Sequence, residues 1–270
     1  MIAAERLERI AVLIREKRAV SIAELCELLD TSEATIRRDL TKLEQRGLLK
    51  RTYGGAVSLY ASNLDAPFVV RAERQVAEKQ AIARAAAELI SEGETIVLDA
   101  GTTTAQLARA LRNHRNLTVI TNSERVMNEL YDCAGVTVIV TGGILVALDG
   151  LPEQGDIIMT GPVAEATLRR FRPAKAFLGT AGITDQEGMT NTNLPQAQIK
   201  QLMIEISEQV ILLTDCTKFG RISYSIVAPV DSLDTVITDA CIQPQDRAML
   251  QERGVQVITV SPQEKVPPLP

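Results

Sequence analysis

The sequence predicts an α/β protein made of an N-terminal winged helix-turn-helix and a C-terminal, mainly parallel-sheet α/β/α domain. Residues 1–57 carry three helical patterns and a net charge of +2, whereas the rest of the chain carries −7, together giving the formal −5. From residue 95 onward, short apolar runs alternate with helical stretches, as in parallel sheets covered on both faces. Hydrophobic residues make up 46% and aromatic residues 3%, which favours a core of Ile, Val, Leu and Ala.

The first two helices are predicted from apolar spacing. The first has one apolar face, formed at three- and four-residue spacing by Leu7, Ile10, Ala11 and Ile14. The second begins at a capping box, in which Ser21 caps a backbone amide and Glu24 reaches back. Its predicted inward residues are Ile22, Leu25, Leu28 and Leu29.

A third helix is predicted from residue 33 to residue 46, after a break at residues 30–32 and before a C-cap at Gly47. Burying Ile36, Leu40 and Leu43 leaves its polar residues on flanking and outer positions. These residues are Thr35, Arg37, Arg38, Lys42, Gln45 and Arg46. Arginine and glutamine bond base edges in the major groove, and basic side chains neutralise phosphates. The pattern therefore predicts a DNA-reading helix, although a solvated basic helix on an ordinary three-helix unit fits it too.

Two features refine this prediction. Asp39 lies within the basic run, where we expect it to orient an arginine instead of meeting DNA, because phosphate repels a carboxylate. Two short extended runs follow Gly47 around the turn at Gly54 and Gly55, and they predict a β-wing. We therefore assign residues 1–57 to a winged helix-turn-helix, residues 58–74 to a linker and residues 75–262 to the α/β domain.

The C-terminal domain alternates strands and helices. An Ala-rich helix is predicted over 75–91. The predicted strands are Thr95–Leu98, Leu117–Ile120, Val136–Val140, Ala176–Leu178, Val210–Leu213, Thr235–Ile237 and Val255–Val260. The helices between them are Thr103–Arg112, Ser123–Tyr131, Pro162–Phe171 and Pro195–Ser207.

Polar turns follow five of these strands, at the end where parallel sheets bind ligands. The turns are 99–104, 121–123, 141–143, 179–182 and 215–220. Gly101, Thr102 and Thr103 lead into a helix whose first amides could hold a phosphate. Helix capping and ordinary turn chemistry could explain each turn separately. Their convergence on one edge favours a polar, anion-holding pocket.

The N-terminal motifs resemble those of DeoR-type bacterial repressors. The matching residues are Arg6-xxx-Ile10-xxx-Ile14, Ser32-xx-Thr35-Ile36-Arg37-Arg38-Asp39-Leu40 and Leu43-Glu44-xx-Gly47-xxx-Arg51-xx-Gly54-Gly55-Ala56. Tyr53 departs from the histidine common before the paired glycines, but its hydroxyl could still bond a phosphate. Helix pattern and resemblance together give these DNA-binding candidates: Ser32, Thr35, Arg37, Arg38, Lys42, Arg46, Arg51 and Tyr53.

The C-terminal half resembles the effector domain of the same family, which is similar to the sugar-phosphate isomerase fold. Matching pieces include Lys79-xx-Ile82-Ala83, Asp99-x-Gly101-Thr102-Thr103-Thr104, Thr121-Asn122, Gly142-Gly143, Asn193-xxx-Ala197-xx-Lys200 and Asp215-xx-Lys218-Phe219-Gly220. The resemblance implies a repressor whose DNA affinity changes when it binds a phosphorylated sugar. The implied ligand-binding residues are Asp99, Gly101, Thr102, Thr103, Asn122, Gly142, Gly143, Lys200 and Lys218, with the two lysines as cationic partners.

The family pattern is broken at two places. The connection 144–160 lacks the usual arginine and holds three acidic residues. Gln196 stands where the family often has glutamate, and an amide cannot move a proton as a carboxylate does. We therefore expect a regulator and no enzyme. The alternatives are a sugar-phosphate isomerase-like enzyme with a DNA-binding appendage and an architectural DNA-binding protein.

The remaining expectations concern partners, metals and location. We expect double-stranded operator DNA and a phosphorylated sugar as partners, a homo-oligomer (dimer or tetramer), and no cofactor. A single histidine and the absence of a CxxC motif argue against a metal site. No apolar run reaches the roughly 20 residues of a membrane span, and the N-terminus lacks a signal-peptide core. We therefore expect a cytoplasmic protein with no membrane partner, whose four cysteines are reduced core thiols.

Overall fold

The computed structural model describes residues 3–17, 19–45, 49–58, 68–148 and 155–262. The chain divides into two compact units, residues 1–66 and 67–270. None of the helices in the described ranges has the length and apolar content needed to cross a membrane.

The first unit is a winged helix-turn-helix, as predicted. Its elements are α1 (Ala3–Lys17), β1 (Ala19–Ser21), α2 (Ile22–Leu29), α3 (Glu33–Gln45), β2 (Leu49–Thr52) and β3 (Gly55–Ser58). The wing is the antiparallel β2–β3 hairpin, and β1 pairs with the other side of β3. A Cβ atom on Gly55 would lie 2.2 Å from the Val20 carbonyl oxygen, so only glycine lets β3 approach β1 this closely.

One apolar core holds this unit together. It gathers residues from α1, α2, α3 and the wing, including the fully buried Ile10, Leu25, Ile36 and Leu40. Ser21 caps α2 by accepting the Glu24 N–H at 3.1 Å, as predicted. The predicted return bond from Glu24 is wrong, because its carboxylate pairs with Lys17 of α1. The predicted inward position of Leu28 is wrong, because this side chain is 49% exposed. Leu25 and Leu29 already fill the inner face of this short helix, and Leu28 lies outside it.

The second unit contains seven helices and twelve strands in its described ranges. The helices are α4 (Phe68–Ala72), α5 (Val76–Glu88), α6 (Thr102–Ala110), α7 (Glu124–Leu130), α8 (Pro162–Leu168), α9 (Leu194–Ile206) and α10 (Pro244–Glu252). The strands are β4 (Thr95–Leu98), β5 (Leu117–Thr121), β6 (Val136–Val140), β7 (Ile144–Ala147), β8 (Ile157–Thr160), β9 (Lys175–Leu178), β10 (Gly182–Thr184), β11 (Gly188–Asn191), β12 (Gln209–Leu213), β13 (Ser225–Ala228), β14 (Thr235–Asp239) and β15 (Gln256–Val260).

The seven strands predicted from apolar runs form one sheet in the order β15-β14-β12-β9-β4-β5-β6. Every pairing in this sheet is parallel. Alternate residues of each strand face opposite cores: Ile96 and Leu98 pack with α5, α6 and α7, and Val97 packs with α8, α9 and α10. The predicted α/β/α layering is thus confirmed. Sequence reasoning missed the small antiparallel sheet β10-β11-β13 and the β7–β8 hairpin. The hairpin had a local signal, because residues 144–148 are all apolar, but the connection 144–160 was not predicted to contain strands.

Two further predictions need correction. The linker of 58–74 is too long, because α4 lies inside it and buries Phe68 and Val70 in the second unit. The cysteines are not all reduced core thiols: Cys216 and Cys241 form a disulfide, whereas Cys133 is a buried free thiol. The neighbouring parallel strands β12 and β14 bring this pair together across 25 residues of sequence, a separation that local spacing does not reveal.

Candidate functional site

The carboxyl edge of the large sheet gathers the strand-end residues, as predicted. Leu98 at the end of β4 pairs with Thr121 of β5 and with Phe177 of β9. Asp99 and Asn122 therefore leave neighbouring strands side by side, and both side chains are fully buried. The Thr121 hydroxyl donates to the Leu98 carbonyl at 2.7 Å and locks the two strand ends together.

Asp99 is paired with Lys200 in a buried ion pair. The Lys200 ammonium reaches from α9, donating to Asp99 Oδ2 and, at 2.8 Å, to the Gly179 carbonyl. Asp99 Oδ2 also accepts the Gly179 N–H at 3.0 Å. Both side chains are at most 2% exposed. Lys200, predicted as a cationic partner of a phosphate, thus pairs with Asp99 and joins three elements of the sheet edge.

Among the described residues, two buried acceptor atoms beside the ends of β4 and β5 have no hydrogen-bond donor. They are the second carboxylate oxygen of Asp99, Oδ1, and the amide oxygen of Asn122, Oδ1. Burying such an acceptor without a donor costs roughly 1–3 kcal/mol. The Asn122 amide nitrogen donates to the Met159 carbonyl at 3.4 Å, which orients the oxygen away from that strand. Hydroxyl groups of a bound molecule are donors of the kind these atoms lack.

The turn after β4 leads into the N-terminus of α6. Gly101 has φ +153°, and the Thr104 hydroxyl donates back to its carbonyl at 3.0 Å. Thr102 and Thr103 occupy the first two helical positions and are both 8% exposed. The first amides of a helix have no partner within it, so they are available to an anion.

Two lysines with lowered pKa values lie near the end of β12. The pKa of Lys218 is lowered from 10.5 to about 8, chiefly by burial and also by nearby arginines, while the Asp215 carboxylate opposes the change. Burial also lowers the pKa of Lys79, on α5, to about 8, with Asp215 again opposing. Lys218 ends a short 3-10 helix, Cys216–Lys218, which Asp215 caps by accepting the Thr217 N–H at 3.1 Å. The Asp215 carboxylate thus offsets two cations, and a second anion would be stabilised there.

The paired glycines after β6 have a packing explanation. A Cβ atom on Gly143 would lie 2.5 Å from the Thr160 carbonyl oxygen, and φ at this residue is +110°. Gly142 has φ +67°. Both glycines let the chain turn from the large sheet into the β7–β8 hairpin. Residues 149–154 of the unusual connection lie outside the described residues.

The outer face of α3 carries the predicted DNA-binding residues. Arg38 and Lys42 are exposed and have no hydrogen-bond or ion-pair partner within the described part of the chain. Arg37 donates to the Glu33 carboxylate at 2.6 Å, one turn earlier on the same exposed face. Asp39 is 2% exposed and pairs with Arg6 of α1 at 2.7 Å, as expected of a carboxylate that orients an arginine. The basic face of α3 is therefore clear of this negative charge.

The other candidates surround that face. Ser32 and Thr35 share a hydroxyl–hydroxyl hydrogen bond of 3.0 Å at the start of α3. Arg51 of the wing donates its backbone N–H to the Glu44 carboxylate at 2.8 Å and its guanidinium to the Thr41 hydroxyl, which ties β2 to α3. Tyr53 is fully exposed at the wing tip. Arg46 and the C-cap predicted at Gly47 lie outside the described residues.

Sequence reasoning left Lys79 and Asp215 out of the predicted site. Lys79 had a detectable signal, because Lys79, Ile82, Ala83 and Ala86 follow helical spacing and all lie on the buried face of α5. A lysine on an apolar face needs partners, and here its ammonium donates to the carbonyls of Arg71 and of Arg74, the latter at 2.7 Å.

These features define a transcriptional regulator in which a winged helix-turn-helix is joined to an α/β sensor domain. Residues 6–61 match the DeoR-like helix-turn-helix domain, and residues 74–240 match the DeoR C-terminal sensor domain. The chain belongs to the DeoR family.

Full-length relatives support this assignment. An uncharacterised helix-turn-helix transcriptional regulator of Bacillus subtilis is 36% identical, over 96% of this chain and 98% of its own length. The transcriptional repressor AccR of Agrobacterium fabrum is 37% identical over 87% and 89%, respectively. The glycerol-3-phosphate regulon repressor of Escherichia coli is 36% identical over 87% and 90%.

The buried ion pair gives a prediction about stability. Replacing Lys200→Met leaves Asp99 buried without its cation, so the free energy of unfolding of the second unit should fall by about 3–5 kcal/mol. The double variant Asp99→Asn with Lys200→Met should recover a large part of this loss, since no charge then remains. Urea unfolding measures both values.

Lys175→Met is the control, because it removes the same charge from the opposite edge of the sheet. Its partner Glu94 is 20% exposed, and the pair is partly hydrated, so a smaller loss is expected. A single Lys200 variant as stable as the double variant would contradict the assignment.

Proposed function

We propose that the protein is a repressor of carbohydrate-metabolism genes and that a phosphorylated sugar bound at the carboxyl edge of the large sheet controls its affinity for operator DNA. The observation that carries the proposal is the pairing of two unlike features at one sheet edge. Lys218 and Lys79 supply positive charge offset by one shared carboxylate, Asp215. Asp99 and Asn122 supply buried acceptors without donors. A phosphorylated sugar has both complements, an anion and hydroxyl donors.

The phosphate is assigned to the end of the site formed by Lys218 and the first turn of α6. A phosphate monoester carries close to two negative charges at neutral pH and accepts several hydrogen bonds. The amides of Thr102 and Thr103 and the ammonium of Lys218 are donors of matching type. The sugar hydroxyls are assigned to Asp99 and Asn122. Lys200 keeps its place in the site as the cation that pairs with Asp99 and orients it.

DNA recognition is assigned to α3 and the wing. Arg38 and Lys42 project from the exposed face of α3, where base edges and phosphates would meet them in a major groove. The Arg37 guanidinium donates to the Glu33 carboxylate in this structure. On DNA binding it would leave Glu33 and contact the DNA instead. Tyr53 and Arg51 of the wing are assigned to the neighbouring sugar-phosphate backbone.

The first helix of the second unit, α4, is proposed as the relay between ligand and DNA. Lys79 lies beside Lys218, and its ammonium donates to the carbonyl of Arg71, within α4, and to that of Arg74, two residues past the end of α4. At the other end of α4, Arg125 stacks on the Phe68 ring with a guanidinium-to-centroid distance of 4.1 Å. Arg125 comes three residues after Asn122 in the chain. Ligand binding would therefore act on α4 from both ends, and α4 follows the DNA-binding unit directly in sequence.

Assembly and location complete the proposal. Two copies, or two pairs, would place their α3 helices on major-groove faces about one helical turn apart and read repeated half-sites. The ligand would favour an arrangement that releases DNA, with a coupling of roughly 1–3 kcal/mol, or about 5- to 150-fold in affinity. We place this activity in the cytoplasm, with the operator.

The alternative is an isomerase-like enzyme that carries a DNA-binding unit. Acid–base catalysis needs a group that is free to exchange a proton with the substrate. Gln196 has no such proton chemistry, and its amide oxygen accepts from Asn191 at 2.7 Å. Lys200 is committed to Asp99 and Gly179. The regulator without catalysis is therefore the function we propose.

The DNA half of the proposal is tested on α3. Arg38→Ala or Lys42→Ala should weaken binding to duplexes selected from a random pool by the full chain. Loss of a base contact would cost about 1–3 kcal/mol of binding free energy. Loss of a phosphate contact would reduce the slope of log affinity against log salt concentration by about 1. Fluorescence anisotropy across a salt series separates the two contacts.

Arg247→Ala removes an equal charge from exposed α10 and should leave both affinity and salt slope unchanged. Parental affinity and salt dependence in both α3 variants would remove α3 from the interface.

The ligand half is tested through Lys218. Lys218→Met should weaken binding of sugar phosphates by on the order of 1.5–3 kcal/mol, the value of a hydrogen bond to a charged group. In the parent chain, affinity should fall as the pH rises above about 8, because Lys218 then loses its charge. Near pH 8 a bound anion favours the ammonium form, so binding should take up protons. Calorimetry in two buffers of different ionisation enthalpy measures the proton uptake.

Lys175→Met should bind ligand like the parent, since Lys175 lies at the opposite edge of the sheet. Binding in the Lys218 variant with unchanged affinity and unchanged pH dependence would exclude Lys218 from the site.

The relay is tested through Lys79. Lys79→Met removes the charge that holds the end of α4 but keeps an apolar stem on the buried face of α5. The DNA affinity of this variant without ligand should equal that of the parent. The change in DNA affinity that saturating sugar phosphate causes should be at least fivefold smaller than in the parent. Saturating ligand removes any effect of altered ligand affinity. If sugar phosphate changes the DNA affinity of this variant as much as that of the parent, the effect of ligand does not reach DNA through Lys79.

A further inference from the structure

The disulfide joins the proposed ligand site to the neighbouring strand end. Cys216 directly follows Asp215 and begins the 3-10 helix that ends at Lys218. Cys241 comes two residues after the end of β14, the strand that pairs with β12. The two Cα atoms are 5.7 Å apart, within the usual range for a disulfide. The bond therefore anchors the turn that carries Lys218.

Asp239, the last residue of β14, holds both cysteines in place independently of the bond. Its Oδ1 accepts the Cys216 N–H at 2.7 Å, and its Oδ2 accepts the Cys241 N–H at 3.4 Å. This carboxylate is 2% exposed. Neither hydrogen bond involves a sulfur atom, so reduction of the disulfide does not itself break either one. The two thiols then remain close together and can be oxidised again without a large backbone movement.

The pair is also accessible. Cys241 is exposed and Cys216 is half-buried, so small thiols and disulfides reach them from solvent. Cys133, in contrast, is a buried free thiol within the hydrophobic core of the same unit. A structural disulfide is usually protected from exchange, whereas exposed ones are the labile class.

We propose that Cys216 and Cys241 are a reversible thiol–disulfide switch that sets how firmly the Lys218 turn is held. The effect on ligand rests on the proposed function, whereas the redox chemistry does not. The oxidant is a low-molecular-weight disulfide. One cysteine thiolate attacks it, expels one thiolate and forms a mixed disulfide; the second cysteine then attacks that bond and expels the other. Two cysteine thiols and one small disulfide thus become one protein disulfide and two small thiols.

A metal site is the competing use of this cluster. The two thiols and the Asp239 carboxylate place three ligand atoms within 4.8 Å of one another. Structural zinc sites take four ligands. Only three such groups meet here among the described residues, and the cysteine Cα atoms lie at a disulfide distance of 5.7 Å, which favours the disulfide.

The chemistry is tested on the full chain equilibrated in glutathione buffers of graded redox potential. Oxidised chain should expose two thiols after denaturation, those of Cys26 and Cys133, and reduced chain should expose all four. Mass spectrometry should show a loss of about 2 Da on oxidation, reversed by reductant. Cys216→Ser should show no such change, and Cys133→Ser should behave like the parent. Four thiols in every buffer, a stable glutathione adduct, or stoichiometric zinc in place of the disulfide would each overturn the switch.

The consequence is tested with inorganic phosphate as the probe. Reduction should weaken its binding by about fivefold, because the Lys218 turn is then tethered only by hydrogen bonds. The double variant Cys216→Ser with Cys241→Ser should bind like reduced parent under both conditions. If the oxidised and reduced parent chains bind phosphate with equal affinity, the disulfide does not control the Lys218 turn, whereas the proposed ligand site stands. Absence of phosphate binding in both forms, with the mass change present, would instead overturn the anion site and with it the control we propose.

Discussion

The buried ion pair between Asp99 and Lys200 is the interaction on which the sheet edge depends. Asp99 stands at the end of β4, Gly179 follows β9, and Lys200 comes from α9, so one ammonium connects three elements. A buried charge is tolerated only with a partner and satisfied hydrogen bonds. The pair therefore specifies how α9 must lie on the sheet. It also gives a buried carboxylate an opposite charge in a place where a carboxylate alone would be very costly.

The rest of the edge follows from what this pair leaves unsatisfied. Lys200 binds one oxygen of Asp99, and the other oxygen has no donor among the described residues; the same holds for the amide oxygen of Asn122, which follows the neighbouring strand. Further along the edge the imbalance has the opposite sign, because Lys79 and Lys218 lie near the single carboxylate of Asp215. The edge thus lacks hydrogen-bond donors at one end and negative charge at the other. A molecule with hydroxyls at one end and a phosphate at the other corrects both deficits.

An analogous arrangement governs α3. Asp39 carries a negative charge within the basic helix. It pairs with Arg6 of α1, however, and lies on the core-facing side of α3. This pairing stabilises the contact between α1 and α3 and clears the outer face for Arg38 and Lys42. The repulsion of a carboxylate by phosphate was enough to predict that Asp39 does not face DNA. Which arginine it meets depends on α1, thirty-three residues earlier in the chain.

Much of the fold and part of the site were determined by the sequence alone. Apolar runs of strand length identified all seven strands of the large sheet, because a strand buried on both faces needs a continuous apolar segment. The polar strand ends and the basic helix could also be predicted, since each is a local pattern. The short strands β10, β11 and β13, the helix α4 and the outward position of Leu28 could not, because none has a distinctive local signature.

Tertiary structure alone decided which charges meet. Lys200 was predicted as a cationic partner of a phosphate, and the sequence did not show that its ammonium pairs with Asp99, a residue 101 positions away. Lys79 was not predicted to join the site, and the disulfide between Cys216 and Cys241 was not predicted at all. Local sequence determines whether a segment forms a helix or a strand, because hydrophobic periodicity and capping act within a few residues. The partner of a buried charge or a thiol is decided only when distant strands align, since those interactions act across a few ångströms of space and not along the chain.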